Sequence, residues 1–132
     1  MNLFADSGRI GDALGAVGWG CTVYELAPGE ASVYHWHVGE EEMLLVLAGH
    51  PTLRTPEGES RLEPWDLALL PRGEEGAHQI RNDTGEAVRA AFFSTSSDPE
   101  VVVYPDEQRI GVVAGRTRPG ARTIRGWVQE PS

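Results

Sequence analysis

The sequence predicts an all-β fold, a sandwich or a barrel of short strands, within a single domain. Its 132 residues match the usual length of one domain. The 16 glycines and 9 prolines indicate many turns. Short runs of β-branched and aromatic residues recur between these turns, and helical patterns are nearly absent. Together these features favour regularly spaced strands joined by turns.

The predicted strands define a central barrel with extensions at both ends. They cover 21–26, 32–37, 42–48, 52–55, 60–63, 67–70, 78–81, 88–94, 101–104 and 110–114. The run 67–70 is apolar throughout, which is typical of a strand buried on both faces. We expect a core barrel over about 21–104, an irregular N-terminal arm over 1–20, and a C-terminal strand and tail over 105–132. The arginine-rich end of that tail is expected to dock on the barrel or on a neighbouring subunit.

Charge and composition exclude several partners. The formal net charge is −9, from 11 arginines against 20 acidic residues, and the sequence has no lysine. An acidic surface repels phosphate backbones, so we expect no nucleic-acid partner. No stretch reaches the length of a membrane-spanning helix, and the first ten residues lack the basic and apolar regions of a signal peptide. The single cysteine, Cys21, excludes an internal disulfide. These features predict a cytoplasmic protein without a membrane partner.

Two histidines and a glutamate in the stretch 29–49 have a spacing that predicts a metal site. Alternate side chains of a strand point to the same face, so His35 and His37 share a face. Residues 38–41 can turn the chain, and Glu42 then opens a returning strand, so that its carboxylate can reach the two imidazoles. A third histidine, His78, lies on a short strand-like run after a loop rich in proline and glycine. Imidazole and carboxylate groups are ligands for divalent transition metals.

The two stretches resemble the two sequence motifs of the cupin superfamily. The first motif, G-x5-H-x-H-x4-E-x6-G, is matched at Gly29, His35, His37, Glu42 and Gly49. The second, G-x5-P-x-G-x2-H-x3-N, is matched at Pro71, Gly73, His78 and Asn82. It has two departures, since Trp65 stands at the opening glycine and the gap from Gly73 to His78 is two residues longer. The resemblance covers about 22–94.

The resemblance implies a fold, a cofactor and an oligomeric state. Cupins adopt a double-stranded β-helix, which is a jelly-roll barrel. His35, His37, Glu42 and His78 would hold one divalent transition metal, which could be Fe, Mn, Zn or Ni. Such a metal keeps a position open for a substrate oxygen or a water molecule. Small cupins commonly form dimers, and the apolar runs near both ends of this chain fit a homodimer.

Residues around the metal ligands have alternative interpretations. Leu44 and Val46 share the strand face of Glu42 and are expected to line an apolar pocket wall, and Tyr24 is expected to point inward as well. Glu40 and Glu41 are interpreted as solvated turn residues, with Glu41 as the alternative ligand if the turn is one residue shorter. The longer loop 74–77 is either a lid over the site or a surface insertion.

Three functions fit the sequence. The first is a metal-dependent oxygenase or isomerase acting on a small molecule, as the resemblance implies. The second is a metal-holding or small-ligand-binding module without catalysis. The third is a metal-free epimerase or isomerase of the sugar type, which needs a dedicated acid–base pair that the sequence does not identify. In each case the partner is a small molecule.

Overall fold

The computed structural model describes residues 14–115 and 124–129. Within these residues the chain forms eleven β-strands and two short 3₁₀ helices, Glu74–Gly76 and Pro105–Glu107, so the all-β prediction is confirmed. The strands are β1 (Trp19–Leu26), β2 (Trp36–His37), β3 (Glu42–Ala48), β4 (Thr52–Thr55), β5 (Gly58–Arg61), β6 (Leu67–Leu70), β7 (Gln79–Arg81), β8 (Val88–Thr95), β9 (Glu100–Tyr104), β10 (Arg109–Ala114) and β11 (Ile124–Gln129).

The described strands form three antiparallel sheets. The first has the order β1-β8-β3-β6, the second β11-β10-β9-β2, and the third β5-β4-β7. Neighbours in a sheet are often distant in the sequence, as are β1 and β8 or β2 and β9. The chain therefore crosses repeatedly from one sheet to another. The first histidine-containing stretch contributes β2 to the second sheet and β3 to the first, and the second stretch contributes β7 to the third sheet.

The core lies between the inward faces of the first and third sheets. Strand periodicity explains its composition, since alternate residues of β3 and β8 point inward. Leu44 and Val46 of β3 are fully buried, as are Val88 and Ala90 of β8. The buried cluster comprises Leu26, Leu44, Leu53, Leu70, Ile80, Val88, Ala90 and Phe92. This cluster supports the walls from which the candidate site residues project.

Strand β6 differs from its prediction as a strand buried on both faces. Leu67 and Leu69 are each 64% exposed, whereas Leu70 is 4% exposed. The reason is its position, because β6 pairs only with β3 within its sheet and forms the sheet edge. One face of β6 therefore points outward. A continuous apolar run in the sequence looks the same in an edge strand and in a strand buried on both faces.

Both ends of the barrel also differ from the predicted boundaries. Strand β1 begins at Trp19, inside the segment expected to be an irregular arm, and residues 1–13 lie outside the described residues. Strand β11 pairs along its length with β10, so this part of the predicted tail is a strand of the second sheet. Three tail arginines, Arg116, Arg118 and Arg122, lie outside the described residues. No helix within the described residues is long and apolar enough to span a membrane.

Candidate metal centre

Three of the four predicted metal ligands, His35, Glu42 and His78, present ligand atoms within 4.8 Å of one another. The fourth, His37, lies outside that group and joins it through its contact with Glu42. The side chain of His37 contacts that of Glu42 through Nε2 and Oε1. The same Oε1 lies 4.0 Å from Nε2 of His35 and 3.9 Å from Nε2 of His78. Three imidazoles from two distant stretches therefore present the same ring atom to one carboxylate oxygen.

Backbone pairing sets this arrangement. His35 and His78 form an isolated antiparallel bridge, in which the N–H of His35 donates to the carbonyl of His78 at 3.1 Å and the N–H of His78 donates back at 3.0 Å. Of the strand predicted over 32–37, only Trp36–His37 forms a strand, and His35 lies just before it in the isolated bridge. His37 precedes the turn that Glu42 ends. The backbone of Gly73 also donates to the carbonyl of His37 at 2.8 Å, which ties the second stretch to the first.

The orientation of two imidazoles is fixed by backbone carbonyls. Nδ1 of His35 lies 2.8 Å from the carbonyl of Val33, and Nδ1 of His78 lies 2.8 Å from that of Gly76. A carbonyl only accepts, so each Nδ1 holds the proton and each Nε2 is left with its lone pair facing Glu42. This is the tautomer that a metal-binding imidazole needs.

The longer loop before His78 is exposed at Glu74 and Glu75 and does not line the cavity, so the surface-insertion alternative is favoured over a lid. It forms the 3₁₀ helix Glu74–Gly76, and its last residue supplies the carbonyl that orients His78. A side chain at position 76 would clash, because a Cβ there would lie 1.7 Å from the carbonyl oxygen of Pro71. The departure from the usual motif spacing therefore builds a tight turn that holds His78 in place.

Burial and mutual charge shift the pKa values of the four side chains. Burial lowers the pKa of His35 to about 4, with added repulsion from His78 and His37, and burial also lowers the pKa of His78. Burial acts in the same direction on His37, but the hydrogen bond and charge of Glu42 outweigh it and raise the pKa of His37. For Glu42, burial is outweighed by the His37 hydrogen bond and the neighbouring histidines, which bring the pKa to about 2. An ionised carboxylate beside the imidazoles of His35 and His78, which burial keeps neutral, suits a cation.

The polar atoms of this cluster fit a divalent transition metal. Nε2 of His78 is buried without a hydrogen bond to the described residues, and Nε2 of His37 and Oε1 of Glu42 are buried with only each other as partners. Buried polar atoms with so few partners are costly and rare, so their convergence favours one shared ligand. Three imidazole nitrogens and one carboxylate oxygen form a donor set suited to Zn, Fe, Mn or Ni.

The cluster opens into a cavity of about 370 Å³ between the sheets. Tyr24, which was predicted to point inward, lines this cavity. Leu44 and Val46 differ from the prediction, since both are fully buried in the core and do not line the cavity. They face inward as expected, but Phe92 of the neighbouring strand β8 lies between the core and the site, with its ring 5.8 Å from that of His78.

The C-terminal strands form a wall of the cavity that sequence analysis missed. Tyr104 lies with its ring 5.8 Å from that of His35 and 5.7 Å from that of Trp127. The Arg109 guanidinium lies over both rings, at 4.9 Å from Tyr104 and 4.3 Å from Trp127. Gly111 makes room for Trp127, because a Cβ there would lie 2.8 Å from the indole ring. The only available sequence signal was the spacing of Arg125 and Trp127, which puts both on one strand face.

Arg125 gives this wall a positive charge. It lies on β11 and, of the arginines that the structure describes, is the one that lines the cavity. Within the described part of the chain it forms no ion pair, whereas other arginines, such as Arg54 and Arg81, pair with carboxylates. An unpaired guanidinium beside a cavity is suited to bind an anionic group.

A second group of carboxylates lies behind His37. Glu40 is 4% exposed and Glu100 is 1% exposed, so the interpretation of Glu40 as a solvated turn residue is wrong. A His37 ring nitrogen and one oxygen from each of the two glutamates lie within 4.8 Å of one another. Glu41, the alternative ligand, is exposed and belongs to neither group of possible metal ligands among the described residues. No local pattern in the sequence distinguishes Glu40 from Glu41.

The comparisons of this chain with known proteins agree on one family. A family model described as a cupin domain matches residues 22–94. A sugar phosphate isomerase of a cupin superfamily from Silicibacter pomeroyi is 28% identical, with a TM-score of 0.77 over 90% of this chain and 74% of its own. A provisionally assigned sugar phosphate isomerase from Acidithiobacillus ferrooxidans is 27% identical, with a TM-score of 0.77 over 93% and 74%.

A more distant structure supports the fold alone. The polyketide cyclase RemF from Streptomyces resistomycificus is 23% identical, with a TM-score of 0.61 over 69% of this chain and 64% of its own. Among curated proteins, none matches the sequence significantly. The shared barrel of these structures confirms the predicted double-stranded β-helix.

Proposed function

Because the chain belongs to the cupin domain family, we propose that it is a metal-dependent isomerase of a small phosphorylated sugar. The observation that supports this most strongly is the convergence of three histidine Nε2 atoms on Oε1 of Glu42 at one side of a cavity. The two similar structures from S. pomeroyi and A. ferrooxidans, described as sugar phosphate isomerases, match this chain over 90% and 93% of its length. The similarity therefore extends beyond the motif to most of the chain.

The proposed cofactor is one divalent transition metal, which could be Fe, Mn, Zn or Ni. His35, His37 and His78 would bind it through Nε2, and Glu42 through its carboxylate. A bound metal of this kind polarises a carbonyl or hydroxyl oxygen and lowers the pKa of the adjacent C–H or O–H group. The neutral imidazoles of His35 and His78 and the ionised carboxylate of Glu42 favour retention of the ion at neutral pH.

The cavity wall supports a sugar phosphate as the substrate class. Trp127 and Tyr104 offer aromatic faces, which suit the C–H groups of a sugar. Arg125 lines the same cavity, and its guanidinium suits a phosphate. Burial raises the pKa of Tyr104, which keeps its hydroxyl protonated and able to donate to a substrate oxygen. Together these groups would orient a sugar with its phosphate at Arg125 and its reacting carbons at the metal.

The proposal is tested by proton exchange at the substrate carbon. The metal-loaded protein in deuterated water should exchange the C-2 hydrogen of an aldose phosphate, followed by ¹H NMR. Chelation or Glu42→Gln should abolish the exchange. Activity that survives complete metal removal would instead identify a metal-free epimerase. Oxygen consumption without isomerisation would identify an oxygenase, and binding without turnover a ligand-binding module.

The role of Arg125 is tested by comparing glucose 6-phosphate with glucose. Arg125→Gln should weaken binding of the phosphorylated sugar by about 10- to 100-fold, since a charged hydrogen bond of roughly 1.5–3 kcal/mol is lost. Binding of unphosphorylated glucose should not change. Arg61→Gln is the matched control, because Arg61 is exposed on β5 and does not line the cavity. Equal loss for both sugars would exclude phosphate recognition by Arg125.

The proposed assembly is a homodimer formed through the outer face of the first sheet. Phe93, Met43 and Leu69 lie in register across three strands of this face. Met43 is 41% exposed and Leu69 is 64% exposed. Each copy has a net charge of −9, so acidic surfaces of two copies repel each other. The uncharged row of Phe93, Met43 and Leu69 is therefore the surface on which a second copy fits best. Leu69→Glu should convert dimers to monomers in light scattering, whereas Val38→Glu should not.

The proposed location is the cytoplasm. Cys21 is the single cysteine of the sequence, is buried and is free, which fits a reducing compartment. Fractionation of native cells tests this assignment, and recovery of the protein in an extracellular or membrane fraction would contradict it.

A further inference from the structure

The three histidines of the candidate site are held in two different ways. Nδ1 of His35 and Nδ1 of His78 each lie 2.8 Å from a backbone carbonyl. Nδ1 of His37 has no such carbonyl among the described residues and is buried without a well-formed hydrogen bond. It faces the carboxylate of Glu40, at 3.6 Å from Oε1. His37 is therefore the one histidine of this site backed by an acidic side chain.

Glu40 is held firmly in this position. It is 4% exposed, and its Oε2 accepts a hydrogen bond from the backbone N–H of Ser97 at 3.2 Å. Burying a carboxylate is costly unless the charge has a partner. The loop that contains Glu40 is in turn fixed by Arg72, whose Nε donates to the carbonyl of Gly39 at 2.8 Å.

Glu100 reinforces the same arrangement from strand β9. It is 1% exposed, and its Oε1 accepts from the backbone N–H of Gly39 at 3.0 Å and from that of Val101 at 2.9 Å. Its Oε2 is buried without a hydrogen-bond partner in the described part of the chain. Two buried carboxylates thus lie behind one imidazole, although most of the acidic residues that the structure describes are at the surface.

Glycine at position 39 is needed for this packing. A Cβ there would lie 2.5 Å from Oγ of Ser97 and 3.2 Å from Oε2 of Glu100. Any larger residue would push apart the two segments that hold the carboxylates. The close approach of Gly39 to both segments shows that the loop 38–41 is packed around these side chains.

We propose that Glu40, backed by Glu100, is the positioning residue of His37: its carboxylate accepts the Nδ1–H of His37 and thereby directs Nε2 toward the metal. The inference rests on the proposed function, because it assumes that His37 binds a metal. A carboxylate behind a metal-binding imidazole fixes its tautomer and orientation and increases its basicity. His37 is therefore the most strongly donating of the three imidazoles, and Glu40 and Glu100 add negative charge close to the divalent ion.

A second cation between His37, Glu40 and Glu100 is the competing explanation of the same cluster. The hydrogen-bond explanation is favoured because carboxylate oxygens of both glutamates already accept hydrogen bonds from the backbone. Oε1 of Glu100 and Oε2 of Glu40 already accept backbone N–H groups, so few oxygens remain for a second ion. His37 would also have to bind two ions at once, through both ring nitrogens.

The test compares variants of Glu40 in the metal-loaded protein. Zinc affinity is measured by competition with a chelator, and zinc stoichiometry by elemental analysis. Glu40→Ala should weaken zinc binding by about 10- to 100-fold. Glu40→Gln should lose less, because its amide oxygen still accepts from Nδ1. Glu41→Ala is the matched control, since Glu41 is the exposed neighbour of Glu40, and it should leave the affinity unchanged.

A spectroscopic measurement separates positioning from general stability. In ¹⁵N-histidine NMR spectra, the Nδ1–H signal of His37 should be observed in the native protein and in Glu40→Gln. It should broaden or disappear in Glu40→Ala, while the signals of His35 and His78 remain. Unchanged zinc affinity and an unchanged His37 signal in Glu40→Ala would overturn the inference, as would two zinc ions per native chain with one lost in Glu40→Ala.

The outcomes also separate this inference from the proposed function. If the native protein binds no zinc, the proposed metal function fails, and the His37 signal in the metal-free protein still tests the contact with Glu40. If the protein binds one zinc ion and Glu40→Ala changes nothing, the metal function stands and the positioning role fails. If the Glu40→Ala variant does not fold, the Glu40→Gln variant is used in its place, and the Nδ1–H signal of His37 must persist in it.

Discussion

His35 and His78 face each other across an isolated bridge, in which each backbone N–H donates to the carbonyl of the other, at 3.1 and 3.0 Å. Their imidazole centroids lie 4.6 Å apart. This pairing brings the second histidine stretch to the first and sets both rings beside Glu42. The relative position of the three histidines is thus determined by backbone hydrogen bonds, which single side-chain substitutions leave in place.

Removing a ligand side chain should therefore remove the metal without unfolding the barrel. His37→Ala and His78→Ala should each bind less than a tenth of the native amount of zinc at equal concentrations, because one of four bonds is lost. Elemental analysis after gel filtration measures the zinc, and circular dichroism measures the fold. His50→Ala is the control, since His50 is exposed and lies outside the cavity. Full zinc stoichiometry in both site variants would refute the ligand assignment.

The metal-free protein should lose stability on mild acidification. The pKa of His35 is lowered by burial from 6.5 to about 4, so the unfolded chain binds more protons than the folded chain between these values. The free energy of unfolding should therefore fall by roughly 3 kcal/mol between pH 7 and pH 4 through this residue alone. Urea unfolding of the chelated protein at several pH values measures the change.

The contribution of His35 is isolated by a variant. His35→Asn should have a flatter pH profile, because the groups that face His35, namely His37, His78, Glu42 and Tyr104, all remain. His37 acts in the opposite sense, since its raised pKa stabilises the fold at low pH and this contribution disappears as pH rises through that pKa. An identical pH profile for the native protein and His35→Asn would contradict the assignment.

The wall formed by Trp127 should depend on the absence of a side chain at Gly111. In Gly111→Ala the new Cβ would lie 2.8 Å from the indole ring, so Trp127 and Arg109 must shift. A stability loss of about 1–3 kcal/mol is expected from this overpacking. Gly126→Ala is the matched control on the paired strand, because a Cβ there has no atom within 4 Å. Equal behaviour of the two variants would mean that Trp127 does not pack on Gly111.

The core beneath the site should respond to truncation more strongly than the surface. Leu44 is fully buried beside Phe92, so Leu44→Ala should lower the free energy of unfolding by about 2–5 kcal/mol. Val38→Ala should change it by less than about 0.5 kcal/mol, because Val38 is 50% exposed. Urea unfolding at neutral pH compares them. A small effect of Leu44→Ala would show that this residue belongs to a cavity wall, as the sequence analysis expected.

The sequence predicted most of the strands and the proximity of His35, His37 and Glu42, because both depend on local spacing. His35 lies in a bridge just before β2, His37 lies on β2 and Glu42 opens β3, so short-range geometry brings these three together. The position of His78 rested on the motif resemblance, and the structure explains its unusual spacing by the turn at Gly76. These elements need no knowledge of distant contacts.

The features that the sequence did not predict depend on which strands become neighbours. Leu67 and Leu69 are exposed because β6 is an edge strand, which a four-residue apolar run does not reveal. Trp127 lines the cavity because β11 pairs with β10, and Leu44 is excluded from it because Phe92 lies alongside. Glu40 is buried because it faces Glu100, which is sixty residues away in the sequence.

The central claim is that His35, His37, His78 and Glu42 hold one divalent ion. The most direct measurement is a crystal structure of the zinc-loaded protein with anomalous diffraction data at the zinc edge. The account predicts a single anomalous peak per chain, about 2.0–2.2 Å from Nε2 of each of the three histidines and from the Glu42 carboxylate. A fully loaded protein whose zinc lies elsewhere, or whose peak is bonded to fewer than three of these side chains, would contradict it.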